Sequence, residues 1–275
     1  MLGHNTQSSR IRVGAVNYLN TKPLIHGLTT AAPHIDLMLD LPSRLADRLA
    51  RGELDVALIP SVEFFQNPKY TIISDACIGC RGPVLSVKLF FRKPPAQVET
   101  LALDEGSRTS AALAKILLHE RHGIRPQLEP LAIGSGLDAT TADAVLLIGD
   151  RAMHSPTGKF VEVWDLGDEW CRWAELPFVF AMWVARPGVE LGDVETHLSR
   201  ARDFGLAHLD EIAAREAPLL GLTRPECLAY LRDNLYFFLG SRELRGLETY
   251  YQLALKLGLA PPGVEIGCSD CQSAG

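Results

Sequence analysis

The residues best suited to bind a ligand are small hydroxyl and amide side chains at the ends of predicted strands. In a parallel α/β sheet the carboxyl ends of the strands share one edge, and ligands bind there. Hydroxyl and amide groups at that edge donate hydrogen bonds to an anion without adding charge. These side chains are Asn17, Asn20, Ser43, Ser86, Ser107, Thr109 and Ser110. Together they predict a site for a small anionic molecule.

The turn at residues 107–110 is the strongest single signal among these loops. It lies between a predicted strand and a predicted helix, so free backbone N–H groups and hydroxyls converge where the helix dipole is positive. Such a helix start binds a carboxylate. The alternative is that Ser107 or Thr109 only caps the helix, the commonest role of these residue types at that position. Arg108 either adds a bidentate clamp on the anion or points into solvent.

Other reactive side chains match no familiar catalytic pattern. The sequence has no glycine-rich nucleotide loop, nucleophile elbow or HExxH motif. His119 and His122 lie near a helix end and are interpreted as surface residues. Asp150 and the pair Asp168 and Glu169 are the carboxylates nearest to strand ends. Either site could supply an acid or base, or be an ordinary solvated loop.

Six cysteines include two CxxC pairs, Cys77 with Cys80 and Cys268 with Cys271. Four thiolates from two such pairs can hold a tetrahedral zinc ion. The pairs are, however, much farther apart in the chain than in a compact zinc ribbon. We therefore interpret the cysteines as reduced thiols and predict neither a metal nor a cofactor.

Apolar runs alternate with amphipathic helical patterns along the first two thirds of the chain. The strand predictions are 11–16, 35–41, 55–60, 85–91, 100–103, 142–148 and 179–185. Helices are predicted after Pro23, from Pro42 to Gly52 and from Ala111 to His122. From Asp193 onward the pattern is helical, over 194–216, 224–234 and 241–257. This alternation is typical of parallel α/β units with right-handed crossovers.

The order of these elements predicts a two-lobed α/β protein. Residues 11–88 and 187–275 are expected to form a discontinuous first lobe, and residues 89–186 an inserted second lobe. Two such lobes leave a cleft between them, and the strand-end loops face it.

Composition limits the possible partners. The formal charge of −6 and the absence of a basic run argue against a nucleic-acid surface. No apolar stretch is long enough to span a bilayer, and residues 1–10 lack the apolar core of a secretory signal. We expect a cytoplasmic protein with a small-molecule partner and no contact with membranes or nucleic acids. Its oligomeric state cannot be read from the sequence.

Several segments resemble the chorismate dehydratase family, which acts in the futalosine route of menaquinone synthesis. The most specific is VGAVNYLNTKPL, from Val13 to Leu24. The others are Pro42-Ser43 with Leu45-Ala46, GELDVALIPS from Gly52 to Ser61, Ser86-Val87 with Leu89, SRTS from Ser107 to Ser110, DLGDEW from Asp165 to Trp170, and LPFVF from Leu176 to Phe180.

This resemblance implies a type II periplasmic-binding-protein-like fold and conversion of chorismate to 3-[(1-carboxyvinyl)oxy]benzoate and water. The substrate is then a dicarboxylate. Catalytic roles fall on Asn17 and Ser86. Substrate contacts fall on Tyr18, Asn20, Ser43, Ser107, Arg108, Thr109, Ser110 and Asp150. Two alternatives remain: a sister enzyme that forms 1,4-dihydroxy-6-naphthoate, which the NYLN opening disfavours, and a non-catalytic cytosolic protein that binds a small carboxylate.

The resemblance also suggests a mechanism. The strand-end segments Asn17–Asn20, Pro42-Ser43, Ser86-Val87 and Ser107–Ser110 contain Asn, Ser and Thr but no His or Glu, and formation of an aromatic ring drives the dehydration. We therefore expect the enolpyruvyl carboxylate of the substrate to act as the base, with Asn17 orienting the substrate and Ser86 assisting the leaving hydroxyl. The rival base is Asp150, because a carboxylate in a closing cleft can have a raised pKa.

Overall fold

The computed structural model describes residues 10–154 and 160–267. The strands are β1 (Ile11–Val16), β2 (Ile35–Asp40), β3 (Val56–Pro60), β4 (Thr71–Cys80), β5 (Val87–Phe91), β6 (Thr100–Asp104), β7 (Gln127–Leu131), β8 (Ala144–Ile148), β9 (Glu162–Asp165), β10 (Phe178–Ala185) and β11 (Tyr236–Phe238). The α-helices are α1 (Lys22–Ile25), α2 (Leu28–Ala31), α3 (Pro42–Ala50), α4 (Ser61–Phe64), α5 (Arg108–His122), α6 (Asp150–Met153), α7 (Leu166–Ala174), α8 (Val194–Ala207), α9 (Leu209–Leu220), α10 (Arg224–Ala229) and α11 (Ser241–Lys256). Short 3₁₀ helices cover Leu19–Thr21, Pro95–Gln97 and Leu137–Ala139, and a π-helix covers Tyr230–Asn234.

Two sheets form the framework. The first has the strand order β11-β4-β10-β3-β1-β2, and the second has the order β7-β6-β8-β5-β9. In each sheet three strands are parallel, β2-β1-β3 and β7-β6-β8, as expected for strands joined by helical crossovers. The mixed α/β class predicted from the alternation of strands and helices is confirmed.

The expected boundary at residue 186 is wrong. Strand β10, which we expected in the inserted lobe, pairs antiparallel with β3 and β4 near the centre of the first sheet. All eight of its residues are buried. A continuous apolar run fits the centre of either sheet, so only the pairing decides its place. The chain therefore leaves the first sheet after β4, through residues 81–86, and returns through residues 175–177.

The first sheet is also larger than the sequence predicts. Strands β4 and β11 were not predicted, and neither were β7 and β9 in the second sheet. Strand β4 lacks a clear period of two because both of its faces are buried, and its pairing with β10 also changes register twice. The predicted helix over 194–216 is interrupted at His208 and forms the separate helices α8 and α9.

The apolar core runs through both lobes. Its largest cluster joins the faces of both sheets with α5, α8 and α11, whereas a smaller cluster around Phe90 and Leu131 covers part of the second sheet. Within the described ranges, none of the helices has both the length and the apolarity needed to cross a membrane.

Candidate functional site

A cavity lies between the two sheets, at the carboxyl ends of β1, β3 and β8. Its empty volume is about 500 Å³, including the opening. Five lining residues are polar and none carries a formal charge. The lining consists of Tyr18, Asn20, Ser86, Ser107 and Ser110, with Val16, Pro42, Pro60, Ile78, Val84, Val87, Ile148, Gly149, Phe180 and Ala181. The cavity therefore offers hydroxyl and amide groups on an apolar wall, the usual character of a small-molecule site.

The start of α5 contributes Ser107 and Ser110 to this cavity. Ser107 is the N-cap: its Oγ accepts the N–H of Ser110 at 3.3 Å and donates to Ser110 Oγ at 2.8 Å. The capping interpretation is thus correct for Ser107, and both hydroxyls still line the cavity. The positive end of a helix of 15 residues points at this wall, which favours an anion there.

Ser86 lies at the junction between the lobes and is 1% exposed. Its Oγ accepts the hydroxyl of Tyr230 at 2.9 Å. Burial raises the pKa of Tyr230 well above its usual range, so this phenol keeps its proton and acts as donor. Because the Ser86 oxygen is engaged as acceptor, its own proton can be donated to a ligand in the cavity.

Tyr18 and Asn20 form the wall contributed by the loop after β1. The Tyr18 ring packs on Gly149, where an added Cβ would lie 3.1 Å from the ring. Gly149 has a φ of +70°, so this position requires glycine for both conformation and space. Burial, with the nearby carboxylate of Asp104, raises the pKa of Tyr18 to about 12. Tyr18 therefore remains a neutral hydrogen-bond donor.

Arg108 does not provide the expected clamp on the anion. Its guanidinium pairs with Asp47 at 2.9 Å and with Glu63 at 3.2 Å. These carboxylates belong to α3 and α4 of the first lobe, whereas Arg108 belongs to α5. Arg108 therefore joins the lobes beside the cavity and is not among the cavity-lining residues.

Thr109 also joins the lobes and does not line the cavity. Its Oγ1 accepts the N–H of Val62 at 3.2 Å and lies 3.4 Å from Ser61 Oγ. Its carbonyl accepts the hydroxyl of Tyr250 at 3.0 Å. Val62 is in the first turn of α4, where a backbone N–H has no partner within the helix. Thr109 thus caps a helix of the opposite lobe.

The remaining predicted residues border the cavity without lining it. Asp150 accepts the N–H of Leu19 at 3.4 Å, and burial raises the pKa of its carboxyl group. Ser43 is buried in the first turn of α3, beside the lining residue Pro42. Asn17 is exposed at the end of β1, and its N–H donates to the carbonyl of Asp40 at 3.0 Å.

The remaining acidic and histidine candidates form ion pairs or pack against neighbouring side chains. Asp168 pairs with Arg172 at 2.8 Å, and Glu169 pairs with Arg121. His119 and His122 are half-buried and not surface residues as predicted, and His122 stacks on Trp164.

One of the two CxxC pairs lies within the described residues. Cys77 and Cys80 are buried free thiols in β4, and burial raises the pKa of Cys77. Cys268 and Cys271 lie outside the described residues.

Several residues that line the cavity or support its lining were not predicted as site residues. Ile78 and Phe180 come from β4 and β10, Gly149 follows β8, and Tyr230 reaches Ser86 from the helical C-terminal third. The LPFVF segment contains Phe180 and was noted only for its resemblance. Nothing in the local pattern around Tyr230 separates it from a core tyrosine.

Solved structures with the same architecture define the class of protein. A protein from Archaeoglobus fulgidus superimposes with a TM-score of 0.72, at 18% identity over 92% of this chain and 99% of its own. The periplasmic aliphatic sulphonate binding protein of Escherichia coli superimposes with a TM-score of 0.60, at 14% identity over 93% and 95% of the two chains. The fold is therefore the two-lobed periplasmic-binding-protein-like fold, with the ligand cleft between the lobes.

Sequence comparison then gives the family. The family model for menaquinone biosynthesis matches residues 11–256. The chorismate dehydratase of Thermus thermophilus is 32% identical over 271 residues, covering 90% of this chain and 96% of that protein. This chain belongs to the menaquinone biosynthesis family.

Proposed function

We propose that this member of the family removes water from chorismate to give 3-[(1-carboxyvinyl)oxy]benzoate. The 32% sequence identity to a chorismate dehydratase, over 90% of this chain, supports this substrate. The observation that carries the proposal is the uncharged, hydroxyl-lined wall at the positive end of α5. That wall suits the carboxylates of a dianion, while Phe180, Ile78 and Ile148 suit its ring. Membership of a biosynthetic family also supports a cytoplasmic enzyme.

Dehydration requires a base and an acid at neighbouring ring carbons. The proton leaves the carbon that bears the enolpyruvyl ether, its C–H electrons form a ring double bond, and the adjacent hydroxyl leaves as water. No His, Asp or Glu is among the residues that line the cavity in the described part of the chain. We therefore assign the base to the enolpyruvyl carboxylate of the substrate, so that positioning supplies most of the catalysis.

Ser86 is the proposed hydrogen-bond donor to the leaving hydroxyl, and it keeps its own proton, because the hydroxyl and the proton removed from the ring together make the water. The hydrogen bond from Tyr230 occupies its oxygen and leaves its proton available to the cavity. Asn17 lies between the lining residues Val16 and Tyr18, and we assign it the role of orienting the substrate. Ser107 and Ser110 are the proposed anchors of one carboxylate. Arg108 and Thr109 act indirectly, by holding the lobes together around the substrate.

Incubation of the purified protein with chorismate tests the activity. We expect an aromatic product one water lighter than chorismate, identified by absorbance and mass. A protein that binds chorismate without turnover would be the binding module of the alternative interpretation. Failure of both binding and turnover would favour the sister enzyme that forms 1,4-dihydroxy-6-naphthoate.

Two substitutions test the identity of the base. Asn17→Asp should abolish turnover, because it replaces a donor by a charge that repels the substrate. Asp150→Asn should keep substantial activity, because an amide oxygen can still accept the N–H of Leu19. Loss of turnover in Asp150→Asn, with chorismate binding and folding unchanged, would make Asp150 the base.

A further inference from the structure

Three side chains of the metal-binding type meet on the first lobe, outside the cavity. His34 precedes β2, Asp193 is the residue before α8, and His197 lies one turn into α8. Their ligand atoms, one from each residue, all lie within 4.8 Å of one another. The proposed dehydration uses none of them.

The fold fixes all three positions. Asp193 and His197 are four residues apart, so they project from the same face of the start of α8. The backbone of His34 is held by β1, since its carbonyl accepts the N–H of Ile11 at 3.1 Å. The cluster therefore joins two elements that are distant in sequence, without relying on a long loop.

The distances are close to those of a zinc site. Nε2 of His34 lies 3.1 Å from Oδ1 of Asp193, and Nε2 of His197 lies 3.1 Å from Oδ2 of the same carboxylate. In a tetrahedral zinc site, bonds of about 2.0–2.1 Å place neighbouring ligand atoms about 3.3 Å apart. A small movement of the side chains would bring these atoms to that spacing.

The orientation of His34 gives a second indication. Its Nε2 is buried and makes no hydrogen bond within the described residues, although an oxygen of Asp193 is 3.1 Å away. The ring nitrogen is thus close to the carboxylate but not directed at it. An ordinary ion pair explains the position of His197, because its Nε2 is hydrogen-bonded to Asp193. It does not explain the position of His34, because Nε2 of His34 makes no hydrogen bond to that carboxylate.

We propose that His34, Asp193 and His197 bind a divalent transition-metal ion, with Zn²⁺ as the ion that fits best. Two imidazoles and one carboxylate suit zinc, whereas Mg²⁺ and Ca²⁺ prefer oxygen ligands alone. Asp193 is 64% exposed, so water can complete the coordination. The ion ties the start of α8 to the start of β2. Its role is to stabilise the first lobe and not to take part in the dehydration.

Titration of the full-length, untagged protein with Zn²⁺ and Co²⁺ tests this site after removal of metals with a chelator. We expect one ion per chain, a higher melting temperature with Zn²⁺, and a Co²⁺ visible spectrum of tetrahedral type. His34→Ala, His197→Ala and Asp193→Asn should each weaken binding at least about tenfold. His208→Ala, a histidine at the end of α8 outside the cluster, is the matched control.

The cysteines require a separate control, because thiolates also bind zinc. A variant with Cys268→Ser and Cys271→Ser should bind one ion as before, and its Co²⁺ complex should show no sulfur-to-metal charge-transfer band. The proposal is wrong if the three variants bind zinc as tightly as the unmodified chain. It is also wrong if the serine variant loses the ion, or if the unmodified chain shows no binding at millimolar zinc. Chorismate turnover should be equal in metal-free and zinc-loaded protein.

Discussion

Replacing Thr109 by valine tests whether contact between the lobes limits turnover. Thr109 Oγ1 accepts the N–H of Val62 at 3.2 Å, and the two residues are 1% and 4% exposed. Valine has nearly the shape of threonine but no acceptor. In the closed arrangement, the N–H of Val62 would therefore be buried without a partner.

The size of the effect follows from the cost of that unpaired group. A buried donor that loses its partner costs about 1–3 kcal/mol. When the lobes separate, water can bind the same N–H, so the cost falls mainly on the closed arrangement. At about 1.4 kcal/mol per factor of ten, the ratio of closed to open molecules falls about 5-fold to 150-fold. We expect kcat/KM for chorismate to fall in the same direction, by at most that factor.

Steady-state kinetics of chorismate consumption measure this effect, and Thr109→Ser is the matched control because it keeps the hydroxyl. Denaturant unfolding of both variants shows whether stability changes as well. The reasoning is refuted if Thr109→Val keeps its kcat/KM, whatever its stability. It is also refuted if Thr109→Ser loses as much activity as Thr109→Val.

Two further substitutions test the acid and the charge network of the first lobe. Tyr230→Phe removes one buried hydrogen bond to Ser86, worth about 1 kcal/mol. We expect kcat for chorismate to fall about fivefold, with little change in KM. A change in KM alone would contradict the donor role of Ser86. Hydrogen bonds from Arg12, with further help from Arg186, hold the pKa of Asp55 far below its usual range, although burial opposes them. Because the folded-state pKa is depressed, Asp55 stabilises the fold above about pH 4, and this contribution is lost as the pH falls further. Asp55→Asn should therefore be less stable at neutral pH, and its free energy of unfolding in urea should fall less between about pH 4 and pH 2. A fall in this range as large as that of the unmodified chain would contradict the role of Asp55.

Local patterns were sufficient for the elements with a clear period or a clear end. The amphipathic α3 and the helix α5, which begins after its cap Ser107 and ends before Gly123, lie within three residues of their predictions. The buried strands β1, β3 and β8 were predicted equally well, because short continuous apolar runs bounded by polar residues are typical of buried strands. Strand β4 could not be predicted, since burial of both faces and irregular pairing remove the alternation of apolar and polar residues.

The sequence by itself predicted the loops that supply all five polar residues of the cavity wall, which are Ser86, Ser107, Ser110, Tyr18 and Asn20. Loop position relative to a parallel strand follows from chain order alone, and so does the start of a helix. Only the tertiary structure decided what each side chain in those loops contacts. Arg108 and Thr109 are in the same turn as Ser107 and Ser110, yet they point to carboxylates and a backbone N–H of the other lobe. The partners of a side chain depend on which elements pack beside it, and that packing joins residues too far apart in sequence for any local pattern to record. For the same reason, β10 was assigned to the wrong lobe, and Tyr230 was not recognised as the partner of Ser86.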